Sequence, residues 1–583
     1  MSKKLEHLSK EELIQLVQSL KKRKKFGLVW ESKMETVASG FSQSYPFLDE
    51  VPEKAISSEF STPTNFIIEG DNFHSLSVLN YTHAGKIDLI YVDPPYNTGS
   101  KDFIYNDSYV DKEDTFRHSK WLSFMARRLS LAKQLLTEDG VIFLSIGEDE
   151  YAQLKLLCDD IFGEENYITN FIWEKTQHFG RQKVNFYNNA DYVLAYAKRL
   201  KGTKLKELLV ERVKSEFEDA PLFNAGNPVN SLTFAPGSVK FNIPDGEYLQ
   251  SNDEKYELLS PVSVSKGKNI NAFTLKFRSR WSQKTVDSQV EIGTSFWVKS
   301  EKFAIRAIYA GGKTSNESPK QVLFSNRNNE FQAVSRFGQK IGVNEEATSE
   351  LRDIIGEQDT FSYPKPKSLL HYLISLYFDP ELGEHRKDFT VLDFFAGSGT
   401  TGHAVLELNA LDGGSRNFIL CTNNENGIAE NVTYKRIKSA IQGYGKVSGL
   451  PGNVRYFKTS FVEKQDTDDN TRYAVLSKCT ELIGVREDAF KVLAKSNHFS
   501  VYEGSGKYVA IVNDSFELPE VIDYLNTLQE DIPVHVYLFS FSNDNYASDF
   551  EGLNRSYRIK AIPEGILEVY RRLIIQTEKN VGA

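Results

Sequence analysis

An apolar run, Ile87 to Val92, stops dead at Asp93-Pro94-Pro95-Tyr96. Two successive prolines cannot continue a ladder of backbone hydrogen bonds, so the strand has to end there and turn. The result is a carboxylate, a rigid turn and an aromatic ring at the carboxyl edge of a sheet, where open α/β folds bind ligands. A second run, Phe389 to Leu392, ends in Asp393-Phe394-Phe395-Ala396-Gly397-Ser398-Gly399-Thr400-Thr401 and leads into a helical pattern. Glycines at such a turn let the backbone approach a ligand, and the helix that follows favours an anionic group at its amino end. A nucleotide-phosphate loop would need a lysine before the Ser/Thr pair, and none is present.

Around these two turns the chain alternates short β-rich runs with helical ones, the pattern of a mostly parallel sheet covered by helices. Strands are expected at Asn65 to Glu69, Ile87 to Val92, Val141 to Ile146, Thr390 to Phe394 and Phe418 to Thr422. Helices are expected at Trp121 to Leu136 and Leu369 to Phe378. Residues 199–350 change character, with more Ser, Asn and Gly and without the strand–helix alternation, and read as an insertion into one α/β domain. Residues 1–40 read as a helix, with Ser9 and Glu12 as a capping box, and a connector. Residues 41–198 and 351–460 form the two parts of the α/β domain, and 461–583 a small C-terminal α/β domain.

Among 583 residues there is no apolar stretch of ~20 residues that would span a bilayer, and the charged amino terminus does not resemble a signal peptide. Cys158, Cys421 and Cys479 lie far apart, without zinc-ligand spacing or a disulfide framework. A cytoplasmic protein without membrane attachment or structural metal is expected. The formal charge of −9 argues weakly against a nucleic-acid partner, but clustering matters more than the sum. Residues 265–284 contain Lys266, Lys268, Lys276, Arg278, Arg280 and Lys284 and no acidic residue. Alternation there turns Phe273, Leu275 and Phe277 inward and Lys276, Arg278 and Arg280 outward, a basic face suited to a phosphate backbone, or else a charged edge strand.

The Asp-Pro-Pro-Tyr turn suits an exocyclic amino group. Asp93 and the Pro94 carbonyl can accept its two hydrogens, while Tyr96 stacks on the ring that carries it. Together with the Phe-x-Gly-x-Gly turn it resembles the amino-methyltransferases of DNA, and the order of the two words resembles their β group. Asn97-Thr98-Gly99, Glu69-Gly70-Asp71-Asn72 and Lys365-Pro366 agree with that group. FGLVWE near residue 26, DPPYNTGSKDFIYND and FILCTNNENGIAENVTYKRIK are similar to the modification subunits of type III restriction-modification systems.

The resemblance implies a Rossmann-like fold that uses S-adenosylmethionine, interrupted by a target-recognition domain. It implies a catalytic pocket of Asp93, Pro94, Pro95 and Tyr96, and a cofactor site of Asp393, Phe395, Gly397, Gly399 and Thr400. Asp71 would lie near the cofactor's adenine, Lys365 and Pro366 near its methionine end, and Glu425 at its ribose hydroxyls. Read without the resemblance, Asp71 is a helix cap, Lys365-Pro366 a surface turn and Glu425 a solvated residue. The implied reaction is methylation of adenine N6 in a specific duplex sequence, the base flipped out of the helix. Double-stranded DNA, a second copy of the chain and a restriction ATPase-nuclease are the implied partners. Alternatives are N4-cytosine methylation, for which Asp93 would usually be Ser, a stand-alone enzyme, or methylation of RNA or protein glutamine.

Overall fold

The structure is a computed structural model and describes residues 30–40, 43–57, 63–100, 102–106, 108–177, 187–200, 208–213, 219–310, 316–325, 333–356, 361, 363–529, 531–540 and 546–581. The capping box at Ser9 and Glu12 lies outside these residues. The chain forms two compact units, Leu209–Pro319 and the remainder.

The larger unit is built on a ten-stranded sheet. Its strands are β1 (Ser44–Glu50), β2 (Thr64–Glu69), β3 (Ile87–Val92), β4 (Leu136–Ile146), β5 (Tyr167–Glu174), β6 (Ala190–Ala197), β7 (Val322–Leu323), β8 (Thr390–Asp393), β9 (Asn417–Thr422) and β10 (Asn453–Glu463). Their order across the sheet is β1-β10-β2-β9-β8-β3-β4-β6-β5-β7. The six strands from β10 to β4 run parallel, and β6 is antiparallel to both of its neighbours. Parallel strands need helical crossovers, and these cover the sheet faces. They include α1 (Asn72–Thr82), α2 (Arg117–Leu135), α3 (Tyr151–Phe162), α4 (Lys367–Ser375), α5 (Thr400–Asp412) and α6 (Lys435–Gln442). Central strands are therefore buried on both faces: Leu89, Ile90, Val391, Leu392, Ile419 and Leu420 are inaccessible to solvent.

Two expected elements differ in extent. The helix expected to run to Phe378 stops at Ser375, and Phe378–Asp379 instead pairs with Glu384–His385. Pro380 disfavours helical geometry at Asp379, which helical periodicity alone does not register. β4 begins at Leu136, ahead of the expected Val141, with a register irregularity against β3 between these points.

The insert unit is narrower than the 199–350 span. Residues after Pro319 return to the larger unit, where Val322 pairs with Ile172 and the Trp173 indole donates to the Gly342 carbonyl at 3.0 Å. Within the insert a seven-stranded and a three-stranded sheet enclose a core containing Leu232, Phe234, Val239, Phe273, Leu275 and Phe277.

The C-terminal residues form a five-stranded sheet in sequence order, from Ala489–Lys495 to Tyr557–Pro563. Helices α7 (Cys479–Glu487) and α8 (Glu564–Val581) join this region to the larger sheet. The Tyr570 ring stacks on Tyr45 at 5.4 Å, its hydroxyl donates to the Pro46 carbonyl, and Leu482 and Ile483 enter the same core. The expected 461–583 domain thus shares its interior with the main unit. Among the described residues no helix is long and apolar enough to cross a membrane.

Candidate active site

β3 and β8 are neighbouring parallel strands, with Tyr91 opposite Asp393, so the two turns leave the sheet side by side at its carboxyl edge. Between them opens a cavity of about 830 Å³. Asp93 and Pro95 contribute from the first turn, and Phe394, Phe395 and Gly397 from the second. Asp71 and Asn72 follow β2, Thr422, Asn423 and Glu425 follow β9, and residues Glu35 to Val37 close another side. Phe103, Phe124, Phe361 and Phe461 supply apolar walls. Of the expected site residues, Asp71, Asp93, Pro95, Phe395, Gly397 and Glu425 line this cavity; Pro94, Tyr96, Lys365, Pro366, Asp393, Gly399 and Thr400 stand behind or beside it.

The Asp93 turn is held from several directions. The Lys365 ammonium donates to both Asp93 carboxylate oxygens at 2.7 and 2.8 Å and lies 5.0 Å from the centre of the Tyr96 ring. Burial raises the Asp93 pKa, and the Lys365 charge opposes that shift without cancelling it. The Trp121 indole donates to the Pro95 carbonyl at 2.7 Å. Asn97 adopts a left-handed backbone at φ 56° and donates its amide to Glu150, a fully buried carboxylate that also meets His118 at 2.7 Å. Gly147 leaves room for the Tyr96 ring: a Cβ there would sit 2.8 Å from its Cδ2 atom.

In the second turn Asp393 works as a brace. Its carboxylate accepts the Phe395 N–H at 3.0 Å and the Thr401 hydroxyl, and burial pushes its pKa up to about 7. Gly397 has φ 48°, and a Cβ on it would lie 2.8 Å from the Phe361 ring. Gly399, at φ 76°, caps α5 against Thr433. Thr400 is also turned inward. Its hydroxyl contacts Ser398 and the Lys365 carbonyl and accepts from Arg436 at 2.9 Å, tying the Lys365 segment to the start of α5.

Asp71 caps α1 by accepting the Phe73 N–H at 2.7 Å, and it also lines the cavity. Behind it lies a group the sequence reading missed. Arg128, inaccessible to solvent, forms a two-pronged pair with Glu35 at 3.0 and 2.7 Å and reaches Asn72 and Asp71. The signal was an arginine one turn from Met125 and Ala132, inside the apolar stripe of α2.

In the insert unit, Phe273, Leu275 and Phe277 are buried and Arg278 and Arg280 are exposed, as the alternation requires. The strand is central in its sheet, between Val229–Phe234 and Glu257–Leu258, so it is no edge strand. Lys276 pairs with Glu257 at 2.9 Å and Arg278 donates to the Asn227 carbonyl. Lys266 and Lys268 are exposed on the other sheet, at the turn and strand after Ser265.

The family model for DNA methylases matches residues 87–430, more than half of the chain and both turns. The chain belongs to the DNA methylase family. It is similar to the StyLTI Mod subunit, a type III restriction-modification enzyme of Salmonella typhimurium strain LT2, at 33% identity over 64% of this chain and 55% of that protein. It is similar to the type II methyltransferase M.KpnI of Klebsiella pneumoniae, at 31% identity over 72% of this chain and 94% of that protein. The EcoPI Mod subunit of Escherichia phage P1 matches at 28% identity over 62% of this chain and 58% of its own length. The chain thus spans a little over half the length of these two type III relatives.

Proposed function

We propose that this chain transfers a methyl group from S-adenosylmethionine to N6 of an adenine flipped out of duplex DNA, at a sequence chosen by the insert. The observation that carries this reading is the single cavity shared by the Asp93 and Gly397 turns. Its ~830 Å³ lies within the roughly 300–1,000 Å³ usual for small-molecule sites. Its apolar walls suit a nucleoside, and its Asp71 and Glu425 carboxylates suit ribose hydroxyls and a cationic donor.

Gly397 would let the cofactor approach the backbone, Glu425 would hold the ribose and Asp71 would lie on the adenine side. When bound, S-adenosylmethionine supplies a methyl already activated by its sulfonium. Asp93 and the Pro94 carbonyl accept the two amine hydrogens, directing the nitrogen lone pair toward the methyl, and Tyr96 stacks on the base. Lys365 holds the Asp93 carboxyl in place before the base arrives and then yields it to the amine.

Asp93 favours adenine over N4-cytosine chemistry. By similarity to the Mod subunits, the chain is also the sequence-reading partner of a restriction ATPase-nuclease, with its C-terminal region docking that subunit or a second copy, in the cytoplasm. A second reading, a stand-alone methyltransferase, is favoured by the match over 94% of M.KpnI. Long-read sequencing of DNA from cells expressing the chain tests the first claim: N6-methyladenine in one sequence context is expected. Unmodified DNA or N4-methylcytosine would overturn it. Co-purification with a neighbouring ATPase-nuclease separates the two readings.

A further inference from the structure

Where α7 meets the C-terminal sheet, cations gather around one carboxylate. Glu487 is 4% exposed and meets Lys507 at 3.0 Å, Lys560 at 3.1 Å, His535 at 2.8 Å and Arg486 at 3.8 Å, and it accepts the Tyr537 hydroxyl. The Lys86 ammonium, from the turn before β3, donates to the Arg486 carbonyl at 3.0 Å. Arg558 lies opposite His535 in register, on the same sheet face as Lys560, and is exposed.

Four basic side chains, Lys86, Arg486, Lys507 and Lys560, are therefore grouped around one carboxylate. Among the described residues no other carboxylate lies within 4.0 Å of any of them. Glu487 satisfies the packing of the sheet but leaves a large positive excess. Arg486 Nε is buried with no hydrogen-bond partner, while the Arg486, Lys507 and Lys560 side chains stay 26%, 23% and 33% open to solvent. Burial and the neighbouring cations push Lys86 down to about 8. Like charges held together and half withdrawn from water favour an anion that several donors can share.

We propose that Lys86, Arg486, Lys507 and Lys560 form a phosphate-binding site, away from the methyl-transfer cavity, for a DNA backbone phosphate or the phosphate of a nucleotide. The site is independent of the reaction proposed for the cavity.

The test uses the full chain and inorganic phosphate, against sodium chloride at matched ionic strength. For the wild type, phosphate should raise the melting temperature by about 2 °C more than chloride, the signature of a ligand that binds the folded state. Lys507→Gln/Lys560→Gln should shrink that difference to the part phosphate gives any folded protein. Glu487→Gln should enlarge it even if the variant starts less stable, because it removes the competing negative charge. A structural hub alone would leave the phosphate-minus-chloride difference the same in all three proteins, set only by the general stabilising effect of phosphate, and that result would overturn the proposal. The source is separated by duplex binding. A log affinity against log salt slope lower by about 1–2 in the double-lysine variant identifies DNA phosphates. An unchanged slope with the phosphate response lost identifies a nucleotide.

Discussion

The Lys365 ammonium grips both carboxylate oxygens of Asp93, joining residues 272 positions apart at 2.7 and 2.8 Å. In this protein the acceptor proposed for the target amine already carries a cation, and that cation offsets part of the burial that raises the Asp93 pKa. Lys365→Met should therefore shift the acid limb of the methyl-transfer pH profile upward, with a loss of roughly 10²-fold near neutrality and a smaller one at high pH. Lys365→Arg should restore part of the rate. Rates of tritiated-methyl transfer across pH measure this, and an unmoved acid limb would show that Lys365 does not act through Asp93.

Asp93→Ala should separate donor binding from chemistry. Methyl transfer should drop by at least ~10²-fold, since an acceptor aimed at the reacting amine is lost. Calorimetric affinity for S-adenosylmethionine should stay close to wild type. Retained activity would remove Asp93 from the mechanism.

Gly147→Ala puts a methyl 2.8 Å from the Tyr96 ring, which must move. The stacking surface proposed at Tyr96 should suffer while the proposed donor site does not. Lower turnover with unchanged donor affinity is expected, together with weaker 2-aminopurine fluorescence from duplexes carrying that base at the target position. Parallel loss of donor affinity would instead mean that the whole turn had collapsed.

Asp393 is 3% exposed, and its carboxyl is raised from 3.8 to about 7 by burial. Between those values the unfolded chain releases this proton while the folded protein retains it, so the group's contribution to stability is lost as pH rises through that window. Asp393→Asn can still accept the Phe395 N–H but has nothing to ionise. Its melting temperature relative to wild type should climb between pH 5 and pH 8, as read by differential scanning calorimetry. A constant difference would show that Asp393 does not titrate there.

Arg278 and Arg280 are exposed on the insert. If they contact DNA phosphates, Arg278→Gln/Arg280→Gln should lower the salt-dependence slope of duplex binding by about 2 without changing the methylated sequence. A relaxed sequence preference would mean that they read bases.

Much of the site was legible because its chemistry is local. The Asp93 turn needs consecutive prolines after a strand, and the Gly397 turn needs residues that tolerate φ 48° and 76°. Arg128 and Glu35 escaped that reading because an ion pair 93 residues apart leaves no spacing rule, and a single charge in an apolar helix face does not name its partner. Asp393, a cofactor contact by resemblance, uses its carboxylate to brace its own turn. Roles of this kind depend on which way a side chain points after the strand ends.

The sequence by itself determined the parallel α/β architecture, the two turns and the alternation that buries Phe273, Leu275 and Phe277. These follow from backbone sterics and hydrophobic periodicity within a few residues. Only the tertiary structure decided that Lys365 pairs with Asp93, that the insert unit ends at Pro319, and that the C-terminal region shares a core with the main sheet. Such outcomes arise when surfaces distant in sequence compete to be buried, and that competition is settled only when the strands take their order in the sheet.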